Sequence, residues 1–356
     1  MNIANAIQST FENMNVVKAI VSTISIILLG FYLRKRGTFG ENFGKVLTKV
    51  VLAVALPALA FNSFMQGIDY ATFKQSMNVL IWGIAIYIIL IFVTKFMYLK
   101  YGKDKSDVLR VLTDFGSTTF FGIPIVAGIF GPTSKAVIYA SVFNIGYRIF
   151  LYSYGYIKMS GLKMEAKNIK QMFLNPIVIA TFAGLILWLI QNASWIPHMN
   201  VVDAAGVKSS VSFYRIDLTA PWISQPLIYL AGLASPLAWL GIGSTLGSIS
   251  LSKAAVDRDS WYYSFNKVLL VPLINIVLLA ILALTHVLPV SADALETIII
   301  MMATPTAAVA STYAIAFDRQ AVLASNASLL STVVATVLMP FWIVATQILS
   351  ATGLFK

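Results

Sequence analysis

Ten stretches of the chain are apolar over roughly the length a helix needs to cross a hydrocarbon core of about 30 Å. They are 15–34, 45–67, 74–99, 107–131, 133–157, 170–191, 224–248, 262–286, 293–317 and 320–349. Their apolarity is continuous, without period-two alternation, so the pattern predicts membrane helices and not a β-barrel. Two stretches are interrupted near mid-depth by a proline among small and hydroxyl residues. One reads Ser117-Thr118-Thr119-Phe120-Phe121-Gly122-Ile123-Pro124, the other Ala303-Thr304-Pro305-Thr306-Ala307. Residues 192–223 form a polar outer loop with Trp195, Pro197, Tyr214, Pro221 and Trp222. Tryptophan and tyrosine favour the headgroup zone, so part of this loop is expected along the membrane surface.

Composition agrees with an all-α polytopic membrane protein: 58% of residues are hydrophobic and 11% charged. The positive charges set its orientation. Arg34-Lys35-Arg36 directly after the first stretch hold that end inside, and with ten crossings the inner loops carry 18 Lys and Arg against 6 in the outer segments. Both termini are then expected outside, in a multi-pass protein of the cell membrane. Glu12 and Lys18 ahead of the first apolar run, with no small-x-small site after it, argue against a cleaved signal peptide. The net charge of +11 is spread over several short inner loops, which does not make a nucleic-acid surface. There is no cysteine, which excludes disulfides and thiolate metal sites; His198 and His286 are isolated loop residues. No metal or cofactor is expected.

Ten crossings divide into two sets of five, residues 1–158 and 159–356, the second including the outer loop 192–223. An odd number per set forces the second to run upside down relative to the first, giving two inverted repeats. Leu52–Phe61 and Leu230–Trp239 agree at four of ten positions, and each lies in the second stretch of its set beside a proline. Both fourth stretches carry the interruptions.

The interruptions concentrate chemistry. Proline removes a backbone donor and frees carbonyls of the preceding turn. Half-helices restarting after Pro124 and Pro305 would aim N-terminal ends, each with roughly half a positive charge, at mid-membrane. Where two such ends meet they favour an anion, particularly a carboxylate. Ser117, Thr118, Thr119, Thr304 and Thr306 add hydroxyl donors. The bland alternative is that both prolines only kink packed helices. Two ionisable groups stand out within stretches four and five: Asp114, about 10 Å from the inner end, and Arg148, about 15 Å from it. Either Asp114 couples a cation and Arg148 binds an anion, or the two form a salt bridge locking neighbouring helices.

The order of several motifs resembles the auxin efflux carrier family over essentially the whole chain. They are Leu56-Pro57, Phe121-Gly122-Ile123-Pro124, Asn175-Pro176, Ser235-Pro236-Leu237-Ala238 with Gly241-Ile242-Gly243, and Ala303-Thr304-Pro305-Thr306-Ala307. Ala324-Ser325, Leu329-Leu330-Ser331-Thr332 and Met339-Pro340 complete the set. That family includes bacterial permeases for malate and malonate and plant auxin carriers. The resemblance implies inverted five-helix repeats with crossed broken helices four and nine at the substrate site. It also implies a scaffold of spans one, two, six and seven beside a moving part, commonly as a homodimer. It places Gly122, Ile123, Pro124, Thr304, Pro305 and Thr306 at the crossing. Many relatives carry asparagine where this chain has Ser117, and Arg148 is not a general feature.

The resulting expectation is a secondary carrier, not an enzyme, for a small malate-like organic anion by elevator-type alternating access, with a coupled proton or sodium as a possible partner. The competing reading is a cation–proton antiporter on a similar inverted-repeat fold. It needs carboxylates at the crossing, for which Asp114 is the single candidate. No metalloprotease, paired-aspartate, nucleophile-elbow or P-loop motif occurs.

Overall fold

A computed structural model describes residues 14–161, 174–202, 208–248 and 254–355. Its helices, in chain order, are α1 (Met14–Lys35), α2 (Phe43–Ser63), α3 (Tyr70–Met97), α4 (Lys103–Asp114) and α5 (Thr118–Phe130). Helix α6 begins at Lys135 and reaches residue 160, and α7 is Pro176–Ile190. After a two-stranded hairpin come α8 (Ile216–Thr219), α9 (Pro221–Gly247) and α10 (Arg258–Leu284). Then follow α11 (Ala292–Met302), α12 (Ala308–Ala316) and α13 (Ala321–Ala351). Five of them, α2, α3, α9, α10 and α13, are long and apolar enough to cross a membrane unbroken. Stretches four and nine are each a pair of half-helices, α4 with α5 and α11 with α12, neither half long enough alone.

Pro57 and Pro124, expected to interrupt helices, do not, and neither does Pro272. Pro57, Pro124 and Pro272 each stand two residues beyond a π turn, at Val51–Ala55, Thr118–Gly122 and Asn266–Leu270. The wider turn takes up the missing N–H and the ring's clash with the preceding carbonyl, so the helix continues. The first break therefore lies upstream of the place expected: α4 stops at Asp114, residues 115–117 are non-helical, and α5 restarts at Thr118, well before Pro124.

The sixth stretch also starts later than position 170. Asn175 caps α7 by accepting from the Ile177 N–H at 3.0 Å, and Pro176 opens the helix; positions 170–173 lie outside the described residues. The outer loop is not irregular throughout. His198–Val202 (β1) and Lys208–Ser212 (β2) pair antiparallel, so the chain is not wholly α. Trp195 and Trp222, beside the hairpin, are largely exposed.

Packing separates two groups. Helices α1, α2, α7 and α9 pack on one another, the same four the resemblance assigns to a scaffold; α3–α6 and α10–α13 form the other body. Helix α5 reaches across the seam to α1 and α9, and the Ser235 hydroxyl on α9 donates to the Pro124 carbonyl at 2.6 Å. Within each body, backbones touch at glycines. A Cβ on Gly243 of α9 would lie 2.9 Å from the Ile27 carbonyl carbon of α1, and one on Gly146 of α6 would lie 2.6 Å from the Gly83 carbonyl carbon of α3. Small residues permit such approaches, which dispersion then rewards.

Gly146→Val and Gly243→Val are therefore expected to abolish the monodisperse peak of the detergent-extracted protein, because overpacking costs about 1–3 kcal/mol even where neighbours can yield, and here the neighbours are backbone. Gly232→Ala, with open space around the new methyl group, is expected to leave that peak unchanged.

Candidate transport site at the crossing of the broken helices

The two breaks cross and hydrogen-bond to each other. Gly116 and Thr306 form an isolated antiparallel bridge. The Ser117 N–H donates to the Pro305 carbonyl at 2.7 Å, and the Ala307 N–H to the Phe115 carbonyl at 3.0 Å. Each break thus satisfies backbone groups that the other exposes, away from water. Phe115, fully buried, anchors the first break by stacking on Tyr87 with ring centroids 5.7 Å apart. Gly116 is required here, because a Cβ would collide with the Thr304 hydroxyl and lie 2.9 Å from the Lys267 ammonium.

On one side of the crossing lies a cavity of about 110 Å³, room for a small solute or several waters. Its wall includes Ser117, Thr119 and Phe120 from the first turn of α5 and Ala307, Ala308 and Val309 from the first turn of α12. Both restarting helices therefore present their N-terminal ends to one space, where N–H groups have no intrahelical partner. Arg148, Tyr147 and Tyr152 from α6, Asn175 and Ile177 from α7, and Leu52 from α2 close it. The cavity thus straddles the seam between the two bodies.

Arg148 is only 8% exposed, and among the described residues no carboxylate lies within ion-pair distance of it. It also lines a second, almost wholly apolar cavity of about 110 Å³ with Ser141, Ile145 and Thr181. Of the two readings of Asp114 and Arg148, the salt bridge between them is absent among the described residues. Similar depth along two helices says nothing of azimuth, and Asp114 lies outside the cavity wall, with Arg110 and Lys267 the cations whose field reaches it.

The remaining predicted residues divide by what they touch. Ser117 and Thr119 reach the cavity wall. Thr118 is buried and donates to Asn144 Oδ1 at 2.6 Å, while the same amide donates to the Thr119 hydroxyl at 3.2 Å. Gly122 lets α5 pack on Met301 and Thr304, and Ile123 and Pro124 are buried within the helix. Thr304 donates to the Met301 carbonyl at 2.8 Å. Thr306 receives the Tyr263 hydroxyl contact, and its N–H donates to Ser331 Oγ at 3.3 Å. Thr304, Pro305 and Thr306 therefore build the crossing rather than line the cavity.

Buried charge also lies outside the cavity wall, and the sequence pattern hid two of its members, Lys267 and Glu296. Asp114 is fully buried with neither carboxylate oxygen hydrogen-bonded, and the cations whose field reaches it are Arg110 and Lys267. Lys267, expected in an inner loop, is fully buried and donates to the Thr113 carbonyl at 2.9 Å. Glu296 in α11, also overlooked, accepts from Gln347 at 2.6 Å and Ser350 at 3.1 Å on α13. For Lys267 and Glu296 the sole sequence signal was a lone charge within an apolar run.

The chain is similar to known membrane transport proteins. The sequence model of a family described as membrane transport proteins matches residues 15–172 and 160–343. An uncharacterized transporter of Methanothermobacter thermautotrophicus is 24% identical over 336 residues, covering 92% of this chain and 98% of the relative. A second uncharacterized transporter, from Methanocaldococcus jannaschii, is 20% identical over 239 residues, covering 65% of this chain and 69% of the relative. With the family match running over nearly the whole length, the chain belongs to the membrane transport proteins of the auxin efflux carrier family.

Proposed function

We propose that this protein is a secondary carrier for a small organic anion, with malate-like carboxylates the best fit, bound in the cavity beside the crossing. The single observation that carries the reading is the convergence on one space of two helix N-termini and the buried, unpaired Arg148. Amide ends alone favour a carboxylate. A guanidinium adds a planar pair of donors suited to a second one. Ser117, Thr119, Tyr147, Tyr152 and Asn175 supply neutral polar groups for hydroxyl or carbonyl substituents.

In this reading the ten apolar stretches are two inverted repeats of five in the cell membrane, with both termini outside. The crossing, carried by α4, α5, α11 and α12, moves against the frame of α1, α2, α7 and α9, in a homodimer as the resemblance implies. What supports relative motion is the partition of packing into two bodies with the cavity at their seam. Asp114, buried outside the cavity wall, is the candidate for a coupled proton or sodium. The membrane potential alone is worth about 2.3 kcal/mol per 100 mV for a monoanion, enough to drive export. Uptake needs a coupled cation.

Proteoliposomes containing the purified chain are expected to accumulate labelled malate or malonate under a pH gradient or an imposed voltage; movement of no carboxylate under either condition refutes the reading. Arg148→Gln is expected to raise KM for a dicarboxylate by about 30-fold or more, since truncating one partner of a buried charge pair costs about 2–5 kcal/mol. A KM unchanged in that variant removes Arg148 from the site. Asp114→Asn is expected to retain binding while flattening the dependence of uptake on the pH gradient. An unaltered profile removes its coupling role.

A further inference from the structure

Helix α4 ends inside the protein, and its last carbonyls need donors. The Phe115 N–H takes the Val111 carbonyl at 3.2 Å. The next two carbonyls are met from α10: the Tyr263 hydroxyl donates to Leu112 at 2.9 Å and the Lys267 ammonium to Thr113 at 2.9 Å. Lys267 lies in the π turn Asn266–Leu270, has no exposed surface, and sits against Gly116, the one residue that leaves room for it.

The site around that ammonium is one of concentrated negative charge. A helix C-terminus carries roughly half a negative charge. Asp114, the last residue of α4, adds a fully buried carboxylate beside the Thr94 hydroxyl, beyond ion-pair distance of the Lys267 ammonium yet within its field. Oxygen ligands at the C-terminal end of a half-helix are what a free sodium ion uses in carriers with discontinuous helices. Arg110, the other cation whose field reaches Asp114, is engaged elsewhere, donating to the Ile91 carbonyl at 3.0 Å and to the Tyr154 hydroxyl at 3.3 Å. With Lys267 present, one buried negative side chain already has one buried positive counterpart, and a further cation would be an uncompensated charge in a dry interior.

We propose that the Lys267 ammonium is a tethered cation, occupying the place at the end of the first broken helix where a free alkali ion would otherwise be held, so that this carrier works without sodium. The proposal rests on the carrier reading for the word carrier, and sharpens it by taking sodium out of the coupling scheme. Its structural content stands on the crossing alone. Removal of the ammonium leaves the Thr113 carbonyl without its donor and the Asp114 carboxylate without one of the two cations whose field reaches it, an excess of negative charge that a small hard cation would offset.

The test uses the full chain purified in detergent and reads thermal unfolding in NaCl, KCl or choline chloride at equal ionic strength. The wild-type protein is expected to melt at the same temperature in all three. Lys267→Met is expected to melt several degrees lower in choline chloride and to recover in NaCl with a saturable dependence on concentration. Adding Asp114→Asn to that variant is expected to abolish the response. A wild-type melting temperature raised by NaCl over choline chloride overturns the proposal. So does a Lys267→Met protein that melts alike in all three salts or fails to fold in any of them. No substrate enters the measurement, so failure of every carboxylate in transport would sink the carrier reading and leave this result standing.

Discussion

Two backbone hydrogen bonds, Ser117 to Pro305 and Ala307 to Phe115, hold this structure's central arrangement together. A helix interrupted in hydrocarbon leaves amides and carbonyls without partners, and each costs several kcal/mol if left so. Here each interruption is the other's partner. The arrangement is reciprocal: neither break is tolerable without its neighbour, which fixes where α4–α5 and α11–α12 cross to within a residue. Gly116 shows how tight that fixing is, since the bridge, the Thr304 hydroxyl and the Lys267 ammonium all converge where its side chain would be.

The crossing also sorts charge. Helices α5 and α12 begin beside it, and their positive ends share a cavity with Arg148. Helix α4 ends at it, and its negative end is held by Lys267 and accompanied by Asp114. Full charges thus add to the peptide dipoles at the cavity and offset them at the end of α4. A space edged by two helix N-termini and a buried guanidinium, and a buried lysine held at a helix C-terminus, follow from one topological event. The antiporter alternative has less support here: no carboxylate lines the cavity, Asp114 included.

Much of this was legible in the sequence, for physical reasons that also mark where legibility ended. Breaks in apolar runs are conspicuous because hydrocarbon forbids them, so the segments around Ser117 and Pro305 could be named. Pro124 misled because a π turn absorbs a proline without stopping a helix. Helical rise gave Asp114 and Arg148 similar expected depths but carried no azimuth, and among the described residues no ion pair joins them. Lys267 lies close to the start of its apolar run, where a lysine normally reaches back to water; tertiary packing buries it instead. Tyr147 and Tyr152 carry no signal of their own in a chain already rich in aromatic residues, and Asn175 stood out only as part of the Asn175-Pro176 motif. Their place in the cavity wall comes from the fold alone.

The most direct test of the central claim is to locate the substrate. Crystals of the protein soaked with a bromine-substituted succinate would give an anomalous signal at the halogen. The account predicts that signal in the cavity between Ser117, Ala308 and Arg148, lost in Arg148→Gln crystals soaked alike. A signal outside that cavity near Asp114 and Lys267, or none at the crossing while the compound is demonstrably transported, would contradict it.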